Sequence, residues 1–370
     1  MDEFERLVDA VSLGRADGIG PATARRLIRH YGSATDARKA PVKEHKALGL
    51  TDKVIQALRD PAHHTLCKHE VQRALDLGAR VVTLGDLDYP RRLAECTDAP
   101  VALYVMGNPE LNPPRSVAMV GTRQVSAYGK EMCDRIVREL QPYGATVISG
   151  LAYGVDIHAH RAALQYGLPT VACLAHGLHR IYPNEHVREA REMVENGGGW
   201  ITEFAPGVQP VRTNFPERNR IIAGLADATV VVESGEKGGS MITARLAASY
   251  HREVFAVPGM VTSKQSGGCN VLIRRLEAVL LTDGAQLARE LGWENGKGKP
   301  RQLALLHDLS DEERCVVNAL SANGIRHVDV LLSDLEQAGF NQASLPVLVF
   351  NLEMQGIIRQ LPGKRYSLIT

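Results

Sequence analysis

Short apolar runs punctuate the middle of the chain: Val101–Met106, Ser116–Val120, Thr146–Ser149, Thr170–Leu174, Trp200–Phe204, Thr229–Glu233, Val254–Val257 and Val279–Thr282. Longer amphipathic stretches at helical spacing, such as Ala127 to Leu140, lie between them. That alternation is the pattern of βα units feeding a parallel sheet. Residues 79–291 are therefore expected to form an α/β domain around a Rossmann-like, mostly parallel sheet. Before it, residues 1–78 space Ala, Leu and charged residues helically and predict a small helical domain. Residues 292–302 are rich in Gly, Lys and Pro and read as a flexible linker. In residues 303–370, Ser310 followed three positions later by Glu313 forms a capping box that opens a helix. Helical stretches at about 311–322, 327–338 and 342–355 precede a β-hairpin at about 357–368. Three helices and a wing predict a C-terminal winged-helix module.

Composition narrows the class. With 370 residues the chain is too long for one ordinary core, and 44% hydrophobic with 23% charged residues fits a globular protein. No apolar run approaches the roughly 20 residues of a membrane helix, and the acidic start shows no secretory signal. Cysteines 67, 96, 133, 173, 269 and 315 form no C-x-x-C pair, as expected of reduced thiols in the cytoplasm. A net charge of +1 means that any nucleic-acid binding must come from a local patch.

Four strand ends carry candidate chemistry. Ser116–Val120 runs into Gly121-Thr122-Arg123, where Gly121 admits a close backbone, Thr122 offers a hydroxyl and Arg123 can grip a phosphate with two donors. A purely structural βα turn with Arg123 paired on the surface satisfies that motif equally. Ser149-Gly150 begins a Gly-punctuated turn through Gly154-Val155-Asp156. Phe215 precedes Arg218-Asn219-Arg220, an aromatic ring beside cationic donors suited to a base and its phosphate. Lys237-Gly238-Gly239-Ser240 links a buried strand to a helix, without Walker A spacing. There is no G-x-G-x-x-G, so no dinucleotide cofactor is expected. Four such ends in one sheet favour an anion site. At the N-terminus, Asp17-Gly18-Ile19-Gly20-Pro21 with Arg25, Arg26 and Arg29 resembles a helix-hairpin-helix, a sequence-independent binder of DNA backbone. A hairpin retained for packing alone would read the same.

Taken in order, the motifs resemble the DNA-processing protein A family, also called Smf. They are Gly121-Thr122-Arg123, Ser149-Gly150 through His160, Phe215-Pro216 through Ile222, Lys237 through Ala244, Val254 through Gly259 and Gly268 through Ile273. The resemblance covers about residues 95–290. It implies a Rossmann-like domain that binds single-stranded DNA, dimerises, and loads the RecA recombinase onto incoming DNA during natural transformation. Arg123 and Lys237 would lie in the DNA pocket, flanked by Arg218, Asn219 and Arg220. Gly238 and Met241 depart from the family's frequent Ser and Leu, and Glu277-Ala278 stands where Gly-Ala is common.

The competing reading is a nucleotide- or sugar-phosphate-binding hydrolase on a related fold, with Asp156 and His160 at i and i+4 as an acid/base pair. The Pro-Gly-Gly loop and following Glu of that chemistry are missing. His158, His160, His176 and His179 find no Asp, Glu or Cys at ligand spacing, so no metal is expected. The expectation is a non-enzymatic DNA binder. In the C-terminal module the third helix carries no Arg or Lys, which favours a protein-contact role with DNA limited to the basic wing.

Overall fold

A computed structural model describes residues 2–293, 309–323, 326–355, 357–361 and 365–368. The chain divides into two compact units, Met1–Trp293 and Glu294–Thr370.

The first unit is built on a nine-stranded sheet. In chain order the strands are β1 (Arg80–Thr83), β2 (Ala102–Gly107), β3 (Ser116–Val120), β4 (Thr146–Ser149), β5 (Thr170–Cys173), β6 (Gly199–Thr202), β7 (Ala228–Val231), β8 (Glu253–Ala256) and β9 (Val279–Leu280). They are arranged β1-β2-β6-β5-β4-β3-β7-β8-β9. From β6 to β9 every pairing is parallel, while β1–β2 and β2–β6 are antiparallel. The eight expected strands are all present, and β1 is an addition. It is a four-residue Arg-Val-Val-Thr segment, too short to show an alternation.

Alternation along β3 explains the layering. Ala118 and Val120 enter one core with Ile221, Ile222, Met241 and Ala244, while Val117 and Met119 enter another with Met132, Ile136, Val155 and Ala159. Successive side chains on a strand point to opposite faces. A strand apolar from Val117 to Val120 is thus covered by helices on both sides, as a parallel sheet requires. The helices Glu3–Arg15 and Pro61–Asp76 pack on the sheet, where Leu7, Val8, Val11, Cys67 and Val71 share a core with Tyr104, Leu174 and Met193, while Leu13, Ala24, Leu27, Ile55 and Leu58 form a helical core with Val101. Trp293, expected in the linker, is buried against the same unit and its carbonyl accepts from Arg115 Nη2 at 3.3 Å. Residues 294–302 of that linker lie outside the described residues.

The strand order fixes where a ligand can sit. From β3 the chain winds to β4, β5 and β6 on one side, then returns to place β7, β8 and β9 on the other. The direction reverses between β3 and β7, and beyond the carboxyl ends of such strands an open α/β sheet leaves a crevice.

The second unit has helices Asp311–Asn323, Val328–Gln337 and Leu345–Met354 around an apolar cluster. Ser310 and Glu313 form the reciprocal cap, Glu313 N donating to Ser310 Oγ at 3.2 Å and Ser310 N to Glu313 Oε2 at 2.9 Å. Its three-stranded antiparallel sheet adds β10 (Arg326–His327) to β11 (Ile358–Leu361) and β12 (Arg365–Leu368). His327, expected inside a helix, instead caps one by accepting from Asp329 N. The hairpin turn with Lys364 lies outside the described residues.

Candidate nucleic-acid interface

A cleft of about 340 Å³ opens at the β3/β7 switch point. Gly121, Thr122 and Arg123 line it from the turn after β3, and Gly235, Gly238, Gly239 and Ser240 from the turn after β7. Thr122 N donates to Glu233 O at 2.7 Å and ties the two turns together. This close approach needs glycine at 121, since a Cβ there would stand 2.3 Å from Val155 Cγ2 and 2.7 Å from Glu233 O. The Thr122 hydroxyl is used within its own turn, accepting from Gln124 N at 3.1 Å.

Four helices begin around the cleft; the Asn214–Leu225 helix carries Glu217 in its first turn, and hydrogen-bond accounting separates the other three. The Ala127–Leu140 helix, which follows Arg123, is already closed: Ser126 Oγ accepts from Gly129 N, and buried Glu233 accepts from both Ser126 N and Ser126 Oγ. At the Val155–Gln165 helix, Asp156 in the first turn accepts from Gly150 N at 3.1 Å and Ala152 N at 3.4 Å. The Gly239–Ser249 helix has Gly238 at its N-cap, no side-chain cap and no acidic residue in its first turn. Its unsatisfied N–H groups and the positive end of its dipole favour an anion. The helix after β7 therefore leaves its N-terminus without the side-chain cap that closes the helix after β3.

The same accounting sorts the cations. Arg123 is exposed, its guanidinium 5.3 Å from the centre of the Phe215 ring, and among the described residues no carboxylate pairs with it. Lys237 is exposed on the turn between Gly235 and Gly238 and likewise has no ion pair among the described residues. Arg218 differs. It is 3% exposed and its Nη1 donates to Gly150 O at 2.7 Å and to Cys173 O, fastening the ends of β4 and β5. Its Nε donates to Asn219 Oδ1 at 3.3 Å. Burial lowers the Arg218 pKa, partly offset by Asp156; burial raises that of Asp156, partly offset by Arg218. Both crowd Gly150, where a Cβ would stand 2.6 Å from Asp156 Oδ2 and 2.7 Å from the Arg218 guanidinium. Arg220 Nη2 donates to Glu203, and Arg220 is not part of the cleft wall. Ser149 is fully buried with its hydroxyl on Met119 O at 2.6 Å. Ser240 Oγ donates to Ser234 Oγ at 2.7 Å while lining the cleft.

Of the residues singled out in sequence, the structure brings Gly121, Thr122, Arg123, Arg218, Asn219, Gly238, Gly239 and Ser240 to one cleft wall. Ser149, Gly150, Arg220 and Lys237 are not part of that wall; Lys237 stands exposed on the turn that carries Gly238. Helical spacing held a signal for Arg220: Phe215, Arg218, Asn219 and Ile222 follow the i, i+3, i+4, i+7 rule and share a face that excludes position 220. Asp156 and His160 do not form a pair. His160 is buried with its ring Nδ1 against Thr170 Oγ1 at 2.7 Å, its other nitrogen has no partner among the described residues, and burial holds its pKa down to about 3. It locks its helix to β5.

A sequence model of the family described as DNA recombination-mediator protein A matches residues 80–292. The chain belongs to that family. Among its relatives, protein Smf of Escherichia coli is 35% identical over 291 residues, covering 74% of this chain and 74% of its own. The DNA processing protein DprA of Streptococcus pneumoniae is 39% identical over 202 residues, 55% of this chain and 71% of its own. The solved structure of the pneumococcal protein superposes with a TM-score of 0.62 at 30% identity, covering 75% of this chain and 95% of that one. A Helicobacter pylori DNA processing protein A, solved to show its single-stranded DNA binding mode, gives 0.52 at 30% identity over 58% and 97% of the two chains. This recombination-mediator protein thus has the Rossmann-like fold expected of its sequence.

Proposed function

We propose that this recombination mediator binds single-stranded DNA by holding backbone phosphate in the β3/β7 cleft, and that it loads RecA onto the bound strand. The observation that carries the reading is the pairing of an uncapped helix N-terminus at Gly239 with an arginine, Arg123, that no carboxylate neutralises among the described residues. An unpaired guanidinium over an aromatic ring beside free N–H groups suits a phosphate and its base. The single-stranded DNA binding of the Helicobacter pylori relative supports it. Binding is directed at backbone and is expected to be indifferent to sequence and to fall steeply with salt. The test is a titration of single-stranded, duplex and RNA oligonucleotides. Preference for the single strand is expected; equal affinity for duplex would refute the reading.

The α/β unit is also proposed to form the homodimer. β9 ends the sheet as an unpaired edge, with Val279 and Leu280 partly exposed and Leu276 nearly fully so. Such edges pair with another chain. Sedimentation of the full chain should find two copies. In the second unit, which we read as a winged helix, the Leu345–Met354 helix exposes Val347, Phe350 and Met354 and carries no Lys or Arg, which supports a protein-contact role. No nucleotide turnover is proposed. His160 and Asp156 are committed to separate networks, and purified protein should leave ATP and nucleoside monophosphates unchanged.

A further inference from the structure

Phe215 is the one stacking ring suggested by the sequence of the site, yet the fold brings Tyr182 beside it and sets Tyr153 on the turn after β4. Tyr182 follows β5 and is 41% exposed, its ring 6.3 Å from that of Phe215 and at 62° to it. Tyr153 follows β4, is 42% exposed, and packs its ring 5.1 Å from His186. The neighbouring Glu185 carboxylate raises the Tyr153 pKa, with burial and then Tyr182 adding to the rise. Tyr182, on the segment after β5, thus stands beside Phe215 of the Asn214–Leu225 helix, and Tyr153 lies on the turn after the neighbouring strand β4. Adjacent parallel strands lie about 4.8 Å apart, so that turn begins one strand away from Arg123.

The carboxyl ends of the strands differ in what they offer. At β3/β7 the groups on offer are Arg123, Lys237 and the Gly239 helix N-terminus, all suited to phosphate. At β4/β5 buried Arg218 is spent on carbonyl groups and the Glu185 carboxylate stands beside Tyr153, while Arg180, two residues from Tyr182, is exposed. Half-exposed rings offer a π face to a base, and the Phe215 ring lies 5.3 Å from the Arg123 guanidinium.

Building on the single-stranded DNA reading, we propose that Tyr182 forms a nucleobase subsite with Phe215, continued by Tyr153, which receives bases of the strand whose phosphate is held at Arg123. The strand then runs across the sheet from β7 towards β5. Bases stack on the rings without sequence preference.

Abasic DNA separates this subsite from the phosphate cleft. Affinity is measured for oligothymidylate and for the same backbone carrying abasic residues, using the full-length parent, Tyr182→Ala, Tyr182→Leu and Tyr182→Phe, with melting temperatures beside them. Tyr182→Ala and Tyr182→Leu should bind oligothymidylate roughly five- to a hundredfold more weakly, and abasic DNA like the parent. Tyr182→Phe, which keeps the π face, should bind both like the parent. Folded Ala and Leu variants that hold oligothymidylate at parental affinity, or that are weakened equally towards abasic DNA, would overturn the subsite while leaving the phosphate cleft standing. A parent that binds neither strand would overturn both.

Discussion

The turns after β4 and after β7 look alike in sequence, both being rich in glycine, yet they do opposite work. Around β4, every strong group is consumed internally. Arg218 serves the carbonyls of Gly150 and Cys173, Asp156 serves the N–H groups of Gly150 and Ala152, and Ser149 serves Met119 O. Around β7, Lys237 has no ion pair among the described residues and the Gly239 helix start has no side-chain cap. The lesson is that an anion site is marked by polar groups left unsatisfied at the surface, more than by the presence of Gly, Arg and Ser.

Breaking the closed region should produce the largest effect, and it should appear in stability. Arg218→Met removes the carbonyl partners' donor and leaves buried Asp156 uncompensated, which should cost about 3–5 kcal/mol in urea denaturation. If Arg218 instead mainly gripped DNA, the variant would melt like the parent and only its affinity would fall.

A second perturbation uses pH. The folded pKa of His160 is about 3, below the usual 6.5, because burial disfavours its charge. Below pH 6.5 the unfolded chain takes up a proton that the folded one refuses. Stability should therefore fall as pH drops from 6.5 towards 3, by at most about 1.4 kcal/mol per pH unit from this group. His160→Gln should flatten that slope in part, since His176 is also held low by burial. An unchanged slope would mean that His160 is reached by solvent.

The open region should answer in the reverse way. Arg123→Ala and Lys237→Ala remove exposed cations, so unfolding free energies should move by no more than about 0.5 kcal/mol. A large drop in either would show that the cation is structural, as Arg218 is.

How much of this was legible beforehand follows from range. Eight of the nine strands of the α/β unit and the helix Ala127–Leu140 are local signals, and the sequence shows them at nearly their observed bounds. The adjacency of β3 and β7, about 110 residues apart in sequence, is set by sheet order, which no local pattern encodes. So is the fate of the arginines. Arg218 and Arg220 are near neighbours in one motif, but their partners, Cys173 and Glu203, lie on other segments. The capture of the Ala127–Leu140 helix start by Glu233 is nonlocal in the same sense. Tyr182 was missed for that reason too, since its nearness to Phe215 exists only once β5 and the Asn214–Leu225 helix have packed.

The central claim is that phosphate is held by the groups left unpaired at β3/β7. It is tested most directly by the salt dependence of single-stranded DNA affinity for the parent, Arg123→Ala, Lys237→Ala and the double variant. Each single variant should bind roughly tenfold to a hundredfold more weakly, with the log–log salt slope reduced by about one unit for each phosphate no longer neutralised. The double variant should show both reductions together. Folded single variants that keep parental affinity and slope would contradict the claim and place the DNA elsewhere on the protein.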